Sequence, residues 1–186
     1  MKITGGYLKG RIYSKKLPNN IRPTSELVRE ALFNTLSNLI DFNDIYVLDL
    51  CAGTGALGLE SISRGAKFGH FIEKNNKTCL IIKDIAYSFG LSQSSFKITN
   101  IDVIKFIKLY KVNSENKYDI IFFDPPYFID LYNNVLSLLV EIDLLNQFGL
   151  IVVEYSKKIE LPKFDFLKEL KQKTYGDTII SIFEKL

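Results

Sequence analysis

The sequence predicts an α/β fold: a mostly parallel seven-stranded sheet with helices on both faces, an antiparallel C-terminal hairpin, and a short N-terminal β/helix extension. Three observations lead there. From Ile45 onward, continuous apolar runs alternate with segments of helical periodicity, the pattern of parallel strands buried on both faces. The first apolar run leads straight into a glycine-rich loop that opens a helix. The last two β-rich runs flank Tyr175-Gly176-Asp177, a turn suited to a hairpin. With 186 residues, 47% of them apolar, the chain suffices for one domain over 1–186 with a substantial core. Residues 1–40 make its basic extension and first helix, and 45–186 the sheet-bearing core.

The elements follow in order. Short strands are expected around Gly5-Gly6 and Gly10, then a loop through Leu17-Pro18-Asn19-Asn20. Thr24 or Ser25 can cap a helix reaching about Asn38, whose positions Leu27, Val28, Ala31, Leu32, Thr35, Leu36 and Leu39 recur at helical spacing. Ile45–Leu50 reads as a strand, and Gly55–Arg64 as a helix stopped by Gly65. Phe68–Glu73 is a strand and Asn75–Phe89 a helix, stopped by Gly90. A short strand Phe96–Thr99 precedes a helix Asp102–Tyr110. Then come a strand Tyr118–Asp124, a helix Ile129–Glu141 and a strand Leu150–Tyr155. The hairpin pairs Phe166–Lys173 with Thr178–Phe183. In parallel sheets of this kind, ligands bind beyond the carboxyl ends of the strands, where the strand order reverses. The three most suggestive polar clusters, Asp49–Gly58, Glu73 and Asp124–Tyr127, all lie at such ends.

Composition excludes several classes. No apolar stretch reaches the roughly 18–20 residues of a membrane span, and Met1–Gly6 has no apolar signal-peptide core, so a cytoplasmic protein without membrane contact is expected. Cys51 and Cys79 have no metal-binding spacing and read as buried free thiols, and the lone His70 as a structural strand residue; no metal site is expected. The net charge of +3 is uneven: residues 1–30 carry Lys2, Lys9, Arg11, Lys15, Lys16, Arg22 and Arg29 against Glu26 and Glu30. Such a basic arm is a candidate phosphate-contacting surface.

Gly53, Gly55 and Gly58 spell G-x-G-x-x-G between a strand and a helix, and Glu73 follows at the next strand end. Together they are the Rossmann-like signature of an adenosine-bearing cofactor, with the acid on the ribose hydroxyls. Small residues at Ala52, Gly53, Thr54 and Gly55 let the backbone approach it closely. Asp49, just before the loop, would repel a pyrophosphate and suits a cationic ligand, which favours S-adenosylmethionine over a nicotinamide dinucleotide. Asp102 can accept from the adenine amine, or cap the following helix.

Asp124-Pro125-Pro126-Tyr127 ends the run Tyr118–Phe123 and points most directly at chemistry. An exocyclic amine on a base is a poor nucleophile because its lone pair is delocalised into the ring. Two acceptors on its two N–H bonds draw it toward tetrahedral geometry and aim the lone pair outward. The Asp124 carboxylate and the Pro125 carbonyl can be those acceptors, stiffened by paired prolines that fix the backbone before substrate arrives. Tyr127 can stack on the base, at about 1–3 kcal/mol. Catalysis would then come from positioning and electrostatic preorganisation.

On these residues the chain resembles the bacterial small-subunit (16S) ribosomal RNA guanine-N2 methyltransferases of the RsmD type, over nearly its whole length. Gly5–Arg11 is similar to that family's basic opening. Arg22-Pro23-Thr24-Ser25 with Val28–Asn34 is similar to its most distinctive signature. Asp49–Glu60 is similar to its cofactor loop, Asp124–Tyr127 to its catalytic motif and Tyr175–Thr178 to its C-terminal one. Cys51 departs from a more usual Phe, and Ile101 from a Gly. The resemblance implies a class I methyltransferase fold using S-adenosylmethionine, held by Asp49, Ala52, Gly53, Thr54, Gly55, Glu73 and Asp102. It implies catalysis by Asp124, Pro125, Pro126 and Tyr127. It further implies RNA contacts from Lys9, Arg11, Arg22 and Arg29, and action on small-subunit ribosomal RNA in an assembling 30S particle; a monomer is the default expectation. A DNA adenine-N6 methyltransferase, a nicotinamide-dependent oxidoreductase and a non-catalytic RNA-binding module are the competing readings.

Overall fold

The computed structural model describes residues 1–17, 25–110, 117–125, 129–161 and 163–186, with backbone alone at 129, 130 and 140. The described strands are β1 (Tyr46–Leu50), β2 (Phe68–Glu73), β3 (Phe96–Asn100), β4 (Tyr118–Phe123), β5 (Leu145–Ser156), β6 (Leu167–Tyr175) and β7 (Thr178–Lys185). The helices are α1 (Glu26–Leu36), α2 (Ala56–Ser63), α3 (Asn76–Ser88), α4 (Val103–Leu109) and α5 (Ile129–Glu141). One sheet runs in the order β3-β2-β1-β4-β5-β7-β6. The first five strands are parallel neighbours, and β7 inserts antiparallel between β5 and β6. The chain steps outward from β1 through β2 to β3, then returns to lay β4 on the other side of β1. The switch point therefore lies between β1 and β4, where Leu50 is opposite Phe123.

Helices cover both faces, as the continuous apolar strands require. One core joins Leu48, Leu50, Phe123 and Val153 to Phe106, Tyr132 and Leu136 of α4 and α5. On the opposite face, Val47, Phe122 and Val152 meet Leu32, Phe33 and Leu36 of α1. A third core seats Ile3, Leu8 and Tyr13 against Leu59 and Ile62 of α2 and Ile82 and Ile85 of α3. Residues 1–13 are therefore docked onto the domain. In place of the two short strands expected near Gly5 and Gly10, they form turns closed by a single Lys2–Ile12 bridge.

Ser25 is the N-cap of α1, its hydroxyl accepting from Val28 N–H at 3.2 Å; the alternative Thr24 lies outside the described residues, as does the loop 18–20. β5 begins five residues earlier than expected, at Leu145, because a register shift beside Tyr118 lets Leu145 join the ladder before Leu150 resumes it. His70 is structural: its ring nitrogens lie 2.7 Å from Tyr118 Oη and 2.9 Å from Thr99 Oγ1, among buried neighbours. No described helix is long and apolar enough to cross a membrane.

Candidate active site

Beyond β1 the chain turns through Cys51 (φ 60°), Gly53 (φ 54°) and Gly55 (φ 73°). Gly55 occupies the N-cap position of α2 in the left-handed conformation that glycine adopts without steric cost. Gly58 answers a different need: a Cβ there would stand 2.4 Å from the Phe71 ring, so α2 lies flush on β2. The loop is held from beneath by Ala52 N–H donating to the Ile72 carbonyl at 2.9 Å and Gly53 N–H donating to Glu73 Oε2 at 3.1 Å.

Above these strand ends opens a cavity of about 840 Å³. Asp49, Ala52, Gly53, Thr54, Glu73, Asp102, Asp124 and Pro125 all line it. Gly55 stands behind that wall, shaping it as the start of α2. Pro126, Tyr127 and Arg22 lie outside the described residues. Because Leu50 pairs with Phe123, the glycine loop and the Asp124–Pro125 segment leave adjacent strands and face one space, though the sequence separates them by some 70 residues.

The electrostatics of this space are acidic. Five of the described lining residues are carboxylates (Asp49, Glu73, Asp102, Asp124 and Glu154), against Lys74 as the one lining cation among them. Asp49 is 3% exposed, and its Oδ2 accepts from Gly58 N–H at 3.0 Å. Burial raises its carboxyl to about 8; the Gly58 hydrogen bond pulls the other way, and the Glu73 charge adds to the rise. Glu73 is braced at both oxygens, Oε1 accepting from Asn75 N–H at 2.8 Å. Asp102 is the N-cap of α4, Oδ1 accepting from Ile104 and Lys105 N–H at 3.0 and 3.2 Å, so the capping alternative is realised on the cavity wall. Cys51, expected to be buried, is only partly so and also lines the cavity. Burial and the Glu73, Asp124 and Asp49 charges push its thiol well up, which keeps it protonated and a poor nucleophile. Cys79 is buried as expected, its thiol donating to the Glu73 carbonyl at 3.3 Å.

Asp49 and His70 have opposite consequences for stability. Asp49 binds its proton more tightly folded than unfolded, so stability falls as pH rises from 3.8 to about 8. His70 is lowered from 6.5 to about 4, by burial and then by the Lys97 charge, so its contribution to stability rises with pH over that range. Between pH 4 and 6.5 the two slopes oppose each other; above about pH 7 Asp49 leaves a decline of roughly 1 kcal/mol per pH unit that fades as pH passes about 8. Urea unfolding across pH should therefore show Asp49→Asn abolishing the decline above pH 7 and unmasking a loss on acidification below 6.5. Unchanged slopes in that variant would refute the assignment.

The basic residues behave differently from expectation. Lys9 and Arg11 are exposed on the docked N-terminal segment, neither lines the cavity, and Arg11 Nη1 donates to the Phe89 carbonyl at 2.6 Å. Arg29 is a correction: it is 1% exposed and faces inward. Its Nε lies 3.4 Å from Glu60 Oε2, and its Nη2 donates to the Lys2 carbonyl. A side chain so enclosed cannot reach a phosphate; it joins α1 and the N-terminal segment to α2.

Residues that sequence reasoning did not assign complete the wall. Ser25 and Val28 come from the start of α1, Glu154 from β5, and Tyr175, Gly176 and Thr178 from the β6–β7 turn. That turn is tied down by a Lys157–Asp177 ion pair and by Lys157 N–H donating to the Asp177 carbonyl at 3.0 Å. The signals for them were the Arg22–Asn34 signature, which contains Ser25 and Val28, the strand-end position of Glu154 and the turn motif.

Known proteins of this arrangement are numerous. A model of the family described as "Conserved hypothetical protein 95" matches residues 1–184. "Ribosomal RNA small subunit methyltransferase D" of Buchnera aphidicola (subsp. Acyrthosiphon pisum) is 37% identical over 165 residues, covering 87% of this chain and 82% of that protein. "Putative rRNA methyltransferase YlbH" of Bacillus subtilis is 30% identical over 186 residues, covering 100% and 99%. Among solved structures, the "putative methyltransferase yhhF" of Escherichia coli superposes with a TM-score of 0.84 at 27% identity, covering 100% of this chain and 97% of that one. With a class I methyltransferase fold and a family match along nearly its whole length, the chain belongs to the Conserved hypothetical protein 95, or RsmD-type, methyltransferase family.

Proposed function

We propose that this protein uses S-adenosylmethionine to methylate the exocyclic N2 amine of one guanine in small-subunit ribosomal RNA. It would act as a cytoplasmic monomer on an assembling 30S particle, through a single catalytic domain spanning residues 1–186. The observation that carries the reading is the shared cavity, in which the glycine loop and Glu73 on one side face Asp124 and Pro125 on the other.

The donor set fits this cofactor better than a dinucleotide. A pyrophosphate needs N–H groups that point at it, yet Gly53 N–H is taken by Glu73 and Gly58 N–H by Asp49. Glu73, Asp102, Asp124 and Glu154 around the cavity oppose phosphate and attract a ligand bearing an ammonium and a sulfonium, and a cation beside Asp49 would favour the ionised form of that carboxyl too. Glu73 would hold the ribose, the loop backbone at Ala52–Thr54 the body of the ligand, and Asp49 its cationic end. When bound, the cofactor supplies an activated methyl group. The chain's own task is to prepare the acceptor: Asp124 and the Pro125 carbonyl would orient the amine, and Asp124 would take the proton that nitrogen sheds as its C–N bond forms and the methyl–sulfonium bond breaks. The buried Pro125 and the cavity walls limit water at that point.

RNA is supported as the substrate by the names of the relatives and by the exposed Lys9 and Arg11. Arg22 belongs to the same proposed contact. The test is mass spectrometry of small-subunit ribosomal RNA with and without the gene. One N2-methylguanine should disappear in the deletion strain and return on complementation; an unchanged methylation profile rejects the proposal.

A further inference from the structure

We propose that Glu154 is the residue by which this site selects guanine: its carboxylate accepts from the ring N1–H while Asp124 and Pro125 hold the neighbouring N2 amine. The inference rests on the reading of the protein as a guanine-N2 methyltransferase and adds the source of its base specificity.

The sheet places the two acids side by side. β4 and β5 are parallel, with Phe122 opposite Val152 and Phe123 opposite Val153. Asp124, just past the end of β4, and Glu154 of β5 are the next residues along. Phe122 and Val152 pack into the core beneath α1, whereas Phe123 and Val153 pack into the core on the other face. Side chains alternate along a strand, so Asp124 and Glu154 return to the α1 face together, on strands about 4.8 Å apart. Both line the main cavity, and both border a small cleft with Leu32, Leu57 and Ile180. Glu154 is also firmly seated. Its residue pairs with Ile180 of β7, and its carbonyl accepts from Tyr132 Oη at 3.0 Å.

The chemistry of purine edges gives this pair a meaning. Guanine presents two adjacent donors there, N1–H and the N2 amine. Ionised carboxylates only accept, so neighbouring carboxylates match a donor–donor edge. Adenine and 2,6-diaminopurine each present a bare N1 lone pair, which a carboxylate repels. Diaminopurine keeps the 2-amine, so it separates recognition of N1–H from the ability to be methylated. Glutamine at 154 would accept from guanine N1–H through its oxygen and donate to a bare N1 through its amide, relaxing the choice.

The experiment uses small-subunit particles reconstituted from RNA that carries either guanine or 2,6-diaminopurine at the methylated position, located beforehand by mass spectrometry. Methyl transfer is measured with the full chain and with Glu154→Gln, whose fold and S-adenosylhomocysteine affinity are checked in parallel. The wild-type protein should prefer guanine by roughly 10- to 100-fold, the range of one well-made base contact, and the variant should narrow that ratio to within a few-fold. An unchanged ratio in the variant, or equal loss on both particles, overturns the assignment of Glu154. A wild-type protein inactive on the guanine particle overturns the functional reading itself, and this proposal with it.

Discussion

Asp124→Ala should lower methyl transfer to undermethylated small-subunit particles by at least about 10²- to 10³-fold, the usual effect of removing one preorganised polar group from an active site. Binding of S-adenosylhomocysteine should stay within a few-fold of wild type. The split follows from where the residues stand. Asp124 leaves the end of β4, while Glu73 and the Ala52–Thr54 loop leave β2 and β1, so the proposed ribose and loop contacts should survive the substitution. What should be lost is one of the two proposed acceptors on the amine, and with it the geometry that would free the lone pair. Asp124→Asn is the finer probe. It keeps the volume and one accepting oxygen but adds an N–H that opposes the amine, and it should recover little of the rate. Calorimetry for the cofactor product and single-turnover transfer of labelled methyl make the comparison. Equal losses in binding and rate would mean that Asp124 shapes the cofactor site and does not hold the base.

The largest effect on stability is expected at Glu60, a carboxylate with no solvent exposure. Its oxygens accept from Thr4 N–H at 2.9 Å and Thr4 Oγ1 at 2.7 Å, and lie 3.4 Å from Arg29 Nε and 3.1 Å from Arg64 Nε. Four donors from the N-terminal segment, α1 and α2 meet on one side chain. Glu60→Ala leaves the Arg29 guanidinium buried without its anion, at a cost of about 3–5 kcal/mol. For a chain of this size that is a fall in melting temperature of roughly 10 °C. Glu60→Leu combined with Arg29→Met should recover much of the loss, because replacing a buried ion pair with apolar groups of similar volume is often neutral. Chemical denaturation of the two single variants and the pair supplies the cycle. A cost below about 1 kcal/mol for Glu60→Ala would show that the network contributes little.

Much of the fold was legible residue by residue, and for local reasons. Phe68–Glu73 and Ile129–Glu141 match their strand and helix end for end, since an apolar run or a helical stripe bounded by turn residues depends on near neighbours alone. The glycine loop was legible for the same reason, its positive φ angles being demanded by a tight strand-to-helix turn. Departures occur where a distant partner intervenes. β5 starts at Leu145 because Tyr118 is there to pair with it, and residues 1–13 give up strand pairing because α2 and α3 offer Ile3 and Leu8 a core.

Arg29 shows the limit most clearly. By sequence it is one of seven cations in a basic segment; in the folded chain its charge is enclosed, because Glu60, 31 residues away, stands opposite it. The sequence alone determined the succession of strands and helices, the glycine loop with Glu73 at the next strand end, and the position of Asp124–Pro125 at the end of β4, all of which depend on spacing, turn chemistry and strand ends. Only the tertiary structure decided that β4 lies beside β1, so that the loop and Asp124 share one cavity, that β5 sets Glu154 next to Asp124, and that α1 and the β6–β7 turn close the wall. Strand order and the burial of a charge depend on which distant segments pack together, and local spacing carries no record of that.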